Sequence, residues 1–366
     1  MRRLGVSLTP ALLTVLVPGL ALALAVPTST AARPDAKPGG PDPFRDWWEA
    51  VVDADQNFRG LAAVSGKEAW VTGESLTDGG SARVYRTTDR GDTWVDVSPD
   101  GTEDLSFRDV EVNGRVAHVL AIGPGEASRI YRSNDGGASW TEAFRNTDED
   151  AFYDCMAFYG GGARGLAVSD PVDGKLRILS TEDRGRTWSV LPSKGMPPSA
   201  GEFGFAASGD CLVTAGRSAF LITGGKRSRV LRSDDRGLTW TATASGIPAG
   251  EAAGGFAGAF ASPRRGIAVG GDFGDANDTE DTTAYTRDGR TWTGGADLEH
   301  VGEDVTFLRG TRYAVATGDY DGSAGSSITT DGGATWRLVS ELGYHVIDCA
   351  GKVCWAAGSK GRVGRG

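Results

Sequence analysis

Six stretches of the chain repeat one short pattern, and they restrict what it can fold into more than any other feature. They are TTDRGDTW (87–94), SNDGGASW (133–140), TEDRGRTW (181–188), SDDRGLTW (233–240), a one-residue-shorter TRDGRTW (286–292) and TTDGGATW (329–336). Each places an aspartate two residues after a Ser or Thr, then a glycine, then a closing tryptophan. From tryptophan to tryptophan the steps are 46, 48, 52, 52 and 44 residues. A period of that length, built from short alternating strands, marks a β-propeller in which each repeat is one four-stranded blade.

A second periodicity lies upstream of the boxes. Apolar residues three positions before a small residue recur as WVTG (70–73), LAIG (120–123), LAVS (166–169), VTAG (213–216), IAVG (267–270), VATG (315–318) and WAAG (355–358), seven copies against six boxes. Only eight residues follow Gly358, too few for a box and an outer strand, while FRDWWEAVV (44–52) is strand-like with no upstream partner. The expected fold is therefore all-β, a seven-bladed β-propeller closed by the N-terminal strand, which removes the exposed sheet edges of an open array.

The boxes read as architecture. An aspartate in a tight turn accepts backbone N–H bonds, the glycine takes positive φ, and the tryptophan packs between neighbouring sheets. Six equivalent carboxylates at six equivalent turns do not make one active site, so Asp89, Asp135, Asp183, Asp235, Asp288 and Asp331 are expected to be structural.

At these residues the chain resembles the Asp-box, or BNR-repeat, propellers of the sialidase-like superfamily over roughly residues 46–366. Sialidases of that group are six-bladed and carry an Arg-Ile-Pro element that is missing here. Xyloglucan-type hydrolases use two propellers. The closer likeness is to the photosystem II stability/assembly factor-like family, whose blades read much like FRGLAAVSGKEAWVTGES followed by VYRTTDRGDTW. That resemblance implies a noncatalytic binding or assembly scaffold. Some relatives carry an oxidoreductase label, so the alternative class is a redox or carbohydrate-active enzyme with its site at the channel mouth.

Residues 1–32 read as an export signal, with Arg2 and Arg3 ahead of the apolar run ALLTVLVPGLALALAV and small residues at the end. Pro18 and Pro27 interrupt that run, which argues against a retained membrane span. Residues 33–45 are a proline-rich linker, and 46–366 are expected to form a single domain, secreted or held in the cell envelope as a monomer. The formal net charge is −10, and −12 once Arg2 and Arg3 are removed, which disfavours nucleic acid as a partner.

Four cysteines in an exported chain favour disulfides. Cys349 and Cys354 flank AGKV and face each other across a tight hairpin. Cys155 and Cys211 then pair by elimination, the first on the inner strand of the third blade and the second at the second strand of the fourth.

No cofactor is expected. GGGARG (160–165) is glycine-rich but sits between two strand-like runs, where it reads as a turn and opens no helix; Cys-x-x-Cys and GxSxG are missing, and the histidines, His118, His300 and His345, lie far apart in sequence. In DFGDANDTED (272–281) the acids Asp272, Asp275, Asp278, Glu280 and Asp281 offer oxygen ligands for calcium, although their spacing fits no calcium loop.

The box turns join third and fourth strands, so they share one face. Loops joining second to third strands and blade to blade share the other, and they vary widely, from SKG (359–361) to PSKGMPPSAGE (192–202) and GDFGDANDTEDTT (271–283). Binding residues collect on such a face. Inner strands begin there, which places Arg59, Arg108, Tyr153, Asp154, Glu202, Glu303, Asp304 and His345 around the channel mouth. Two arginines in an acidic rim suit an anionic or peptide-like group, on a protein, peptide or glycan partner.

Overall fold

The computed structural model describes residues 43–366; the segment expected to be an export signal and most of the proline-rich stretch lie outside the described residues. Regular structure among them is all strand, apart from short 3-10 turns at Gly125–Ala127, Ser193–Gly195 and Ser359–Gly361. No helix among the described residues is long and apolar enough to cross a membrane.

The strands run as antiparallel meanders of four. The first meander is Gln56–Ala63, Ala69–Ser75, Arg83–Thr87 and Val95–Asp96. The pattern recurs with first strands at Ser106–Asn113, Tyr153–Phe158, Leu212–Ala215, Ala253–Ser262, Asp304–Phe307 and Val346–Ala350, and we number the units one to seven in this order. Unit seven draws its fourth strand from the other end of the described chain. Trp48–Val51 lies antiparallel to Arg362–Arg365, in register from Trp48↔Arg365 to Val51↔Arg362. Each first strand lies beside the first strand of the next unit, and that of unit seven lies beside that of unit one.

The core is distributed over the junctions between sheets. Trp70, Phe107 and Tyr131 fill the junction of units one and two, and Phe58, Val71, Val346 and Trp355 that of units seven and one. Each of the other five junctions has an apolar cluster of its own. Second strands carry most of this load. Ala69–Ser75, which contains WVTG, is buried over its first five residues because sheets cover both its faces. Burying one such large apolar side chain contributes about 2 kcal/mol.

All six tryptophan-closed turns have one hydrogen-bond plan. In the first, Thr87 Oγ1 donates to Asp89 Oδ1 (2.8 Å), the Thr93 N–H to Oδ1 (3.0 Å) and the Thr93 hydroxyl to Oδ2 (2.6 Å). Gly91, at φ +90°, donates its N–H back to Thr87 Oγ1 at 3.0 Å. Asp135, Asp183, Asp235, Asp288 and Asp331 repeat this arrangement. The closing tryptophans reach back to the preceding unit: Trp94 meets Trp355 edge-on at 5.9 Å, and Trp140 meets Trp70 at 6.4 Å.

Both expected disulfides are formed. Cys349 and Cys354 are directly paired across their hairpin with Cα atoms 4.0 Å apart, and Cys155 joins Cys211 at 5.9 Å. One detail is corrected. Cys211 precedes the first strand of unit four, not the second, because VTAG (213–216) falls on that first strand, Leu212–Ala215, while the second is Ser218–Ile222. An apolar run ending in a small residue marks any strand that stops at a tight turn, here at Gly216 with φ +61°.

Candidate functional site

Four first strands carry a bulge at the same level. The pairing register skips one residue between Phe58 and Gly60, Phe107 and Asp109, Tyr153 and Cys155, and Gly255 and Ala257. The extra residues are Arg59, Arg108, Asp154 and Phe256. A bulge twists the strand locally and re-aims one side chain. Three of these residues then line a single cavity of about 410 Å³, together with Phe152, Asp170, Phe273 and Tyr320 and residues 204–207.

Segment 202–210 runs along this cavity. It is anchored where Glu202–Phe203 pairs with Gly224–Gly225 and where Glu202, fully buried, binds Arg229 Nε at 2.5 Å. Arg59 Nη1 donates to the Ala207 carbonyl at 3.4 Å, the Gly258 N–H binds the Asp210 carbonyl at 3.0 Å, and the Cys155–Cys211 bond fixes the far end. Gly209 needs its missing side chain, since a Cβ there would sit 2.8 Å from the Asp109 carboxyl carbon. Residues 204–207 line the 410 Å³ cavity, whereas Ser208 and Asp210 line a second one of about 690 Å³ toward the box turns.

The arginines are braced from behind. Arg59 Nη1 pairs with Glu303 Oε1 at 2.7 Å, while Oε2 accepts the Asp319 N–H (2.7 Å) and His345 Nδ1 (2.9 Å), and His345 Nε2 meets Ser359 Oγ at 2.8 Å. Burial alone would raise the Glu303 pKa, but His345, Arg59 and the Asp319 N–H together hold it below the ordinary glutamate value. Arg59 Nε is buried without a hydrogen-bond partner. Arg108 binds Glu74 at 3.0 Å, and burial, with Arg59 nearby, lowers its pKa to about 10.

Opposite them stand two carboxyls. Burial, then its neighbour Asp170, pushes Asp154 well above the ordinary value, and burial raises Asp170 to about 7. Asp154 Oδ2 and Asp170 Oδ1 have no donor among protein groups, and a proton shared between the two acids satisfies both. The wall is aromatic: Phe273 stacks on Phe256 at 4.2 Å and meets Tyr320 at 4.6 Å, with Phe205 4.5 Å from Phe256.

Of the eight sequence candidates, Arg59, Arg108 and Asp154 thus reach the cavity, and Glu303 and His345 stand behind Arg59. The other three point elsewhere. Tyr153 is fully buried between units two and three against Phe144, at 5.3 Å, because neighbouring residues of a strand face opposite ways. Glu202 is committed to Arg229. Asp304 is fully buried and accepts the Ile347 N–H at 2.7 Å, tying unit six to unit seven. Asp170 and the aromatic wall went unnoticed in the sequence, although the alternation in EFGF (202–205) was a visible signal.

The acids of 272–281 do not converge. Asp272, Asp275 and Asp278 each accept an N–H two residues on, at 2.7, 3.3 and 3.2 Å. The Asp281 N–H donates to Asp297 at 2.8 Å. Among the described residues no group of three or more His, Cys, Asp or Glu is placed to hold a metal ion.

No family model and no curated protein matches the chain in sequence. Solved structures do match in fold. The chain is similar to YCF48 bound to D1 peptide, with a TM-score of 0.61 and 15% identity over 90% of this chain and 98% of that one. YCF48 from Cyanidioschyzon merolae gives 0.56 and 17%, covering 87% and 98%. U3-55K gives 0.58 and 10%, covering 87% and 97%. These likenesses show a propeller-like all-β fold.

Proposed function

We propose that the chain is an exported, monomeric scaffold that binds a peptide segment of a partner protein in the Arg59–Arg108 cavity without catalysing a reaction. In this reading it is a single-domain, seven-bladed Asp-box propeller over 46–366, closed by its N-terminal strand. The seven meanders, the Trp48–Val51 pairing and the six repeated turns support that architecture. Two disulfides support maturation in an oxidising compartment.

One observation carries the functional reading. A cavity with two arginines, a proton-bearing acid pair and an aromatic wall offers cationic donors for a carboxylate, polar groups for peptide amides and a surface for an apolar side chain. The likeness to a propeller whose structure holds a D1 peptide supports a peptide as occupant. Capture of partners from the envelope fraction and culture medium tests it, comparing the wild type with Arg108→Gln. Arg108 is the better probe because Arg59 also neutralises the buried Glu303. We expect Arg108→Gln to lose the captured protein at an unchanged Tm; undiminished capture overturns the assignment.

A second reading rests on Asp154 and Asp170. Glycoside hydrolysis uses two carboxyls roughly 5 Å or more apart, one of raised pKa, so this proton-sharing pair serves it only where a bound sugar separates the two. Turnover in a glycan-hydrolysis screen that disappears in Asp170→Asn would replace the scaffold by an enzyme.

A further inference from the structure

The 690 Å³ cavity at the box-turn end of the channel is separate from the site just described. Asp109 and Glu111 enter it from one strand, two residues apart and so on one face, Asp348 from unit seven and Asp210 from segment 202–210. Part of this acidity is structural. Asp109 Oδ2 accepts the Met156 N–H at 2.6 Å and Asp348 Oδ2 the Ala63 N–H at 2.9 Å, each tying one unit to the next. Glu111 and Asp210 keep part of their surface open to the cavity. A separate observation points to a missing occupant: Ser208, 4% exposed, lines the same cavity with its hydroxyl buried and without a partner.

We propose that this cavity binds an alkylammonium group of the lysine side-chain class. A bare metal ion is a poor fit, because among the described residues no three His, Cys, Asp or Glu side chains are placed to hold one. The room far exceeds what an ion needs, and Leu61, Val110, Ala157, Leu212, Ala259 and Val305 line the otherwise polar wall beside the acids, which gives an aliphatic stem some apolar contact. The ammonium supplies three N–H donors to Glu111, Asp210 and the Ser208 hydroxyl. Arg265 and Arg309, the basic groups lining the cavity, are exposed, so solvent and salt screen their repulsion.

In the free chain protons neutralise these acids. Burial, followed by Asp210 and Asp348, raises the Glu111 pKa to about 8, and burial with Asp348 raises Asp210 to about 7. Burial also holds Asp109, Asp304 and Asp348 above the ordinary value. An incoming ammonium therefore displaces a carboxyl proton to the buffer. Affinity rises with pH through the Glu111 titration until the amine itself deprotonates, at about pH 10.

Calorimetry on the full exported chain tests this with Nα-acetyl-lysine methylamide against its neutral norleucine counterpart, in two buffers of different ionisation enthalpy. We expect saturable binding of the lysine compound alone, proton release seen as a buffer-dependent heat, and a loss of about tenfold or more in Glu111→Gln and in Asp210→Asn. Glu111→Gln removes a charge largely absent at neutral pH and Asp210→Asn one about half present there, so an unchanged circular-dichroism spectrum is required of both, and Arg108→Gln leaves this binding intact. Three results would each overturn the proposal: no saturable heat at millimolar ligand, equal binding of the norleucine compound, or undiminished binding in both acid variants.

Discussion

Asp135 at a box turn and Asp210 in the channel bear the same carboxyl group in opposite surroundings. Asp135 is half-buried at the surface and takes hydrogen bonds from the Ser139 hydroxyl and N–H and the Ser133 hydroxyl, which lower its pKa to about 2. Asp210 is walled in by protein and by Asp348, which raise it to about 7. The first is satisfied within seven residues of chain; the second has only other acids and a proton. Repetition therefore marks the acids that complete local turns, whereas the acids left in need of an external partner occur once each.

The comparison depends on the channel being enclosed, so the largest effect should come from opening it. Deleting residues 43–52 removes the strand paired with Arg362–Arg365 and should cost several kcal/mol and broaden the unfolding transition seen by calorimetry. Next, Arg59→Ala leaves the fully buried Glu303 without its arginine and should destabilise by about 3–5 kcal/mol in denaturant titration, with Arg59→Lys recovering part of that.

A smaller effect separates the two classes of acid by pH. The native channel acids hold protons that the unfolded chain releases above about pH 4, so their contribution to stability is complete below that pH and is lost as pH rises through about 7 and 8. The turn acids do the reverse: their stabilisation is present above about pH 4 and is lost as pH falls toward 2. Tm should peak in mildly acidic buffer and fall by pH 9, and Glu111→Gln with Asp210→Asn should flatten the alkaline side only. Smallest of all, Asp183→Ala should lower Tm by a few degrees, since the turn loses four hydrogen bonds to the carboxylate while its tryptophan stays packed.

The turns were legible because each is encoded within eight residues, and Cys349–Cys354 because the link spans one hairpin. The bulges that aim Arg59, Arg108 and Asp154 were not, since an extra residue in a strand leaves no mark in composition. Position alone brought these three into the candidate set, and the same reasoning swept in Tyr153, whose side chain faces the opposite way. Asp170 and the path of 202–210 along the cavity depend on contacts between distant units, such as Arg59 with Ala207, that no local pattern announces.

Hydrogen–deuterium exchange on the chain with its captured partner tests the central claim most directly. Binding in the arginine cavity should slow exchange at 152–154 and 204–207 and leave 87–94 and 181–188 unchanged. Protection confined to those box turns, with 152–154 and 204–207 exchanging as in the free chain, would put the partner on the other face and contradict the assignment.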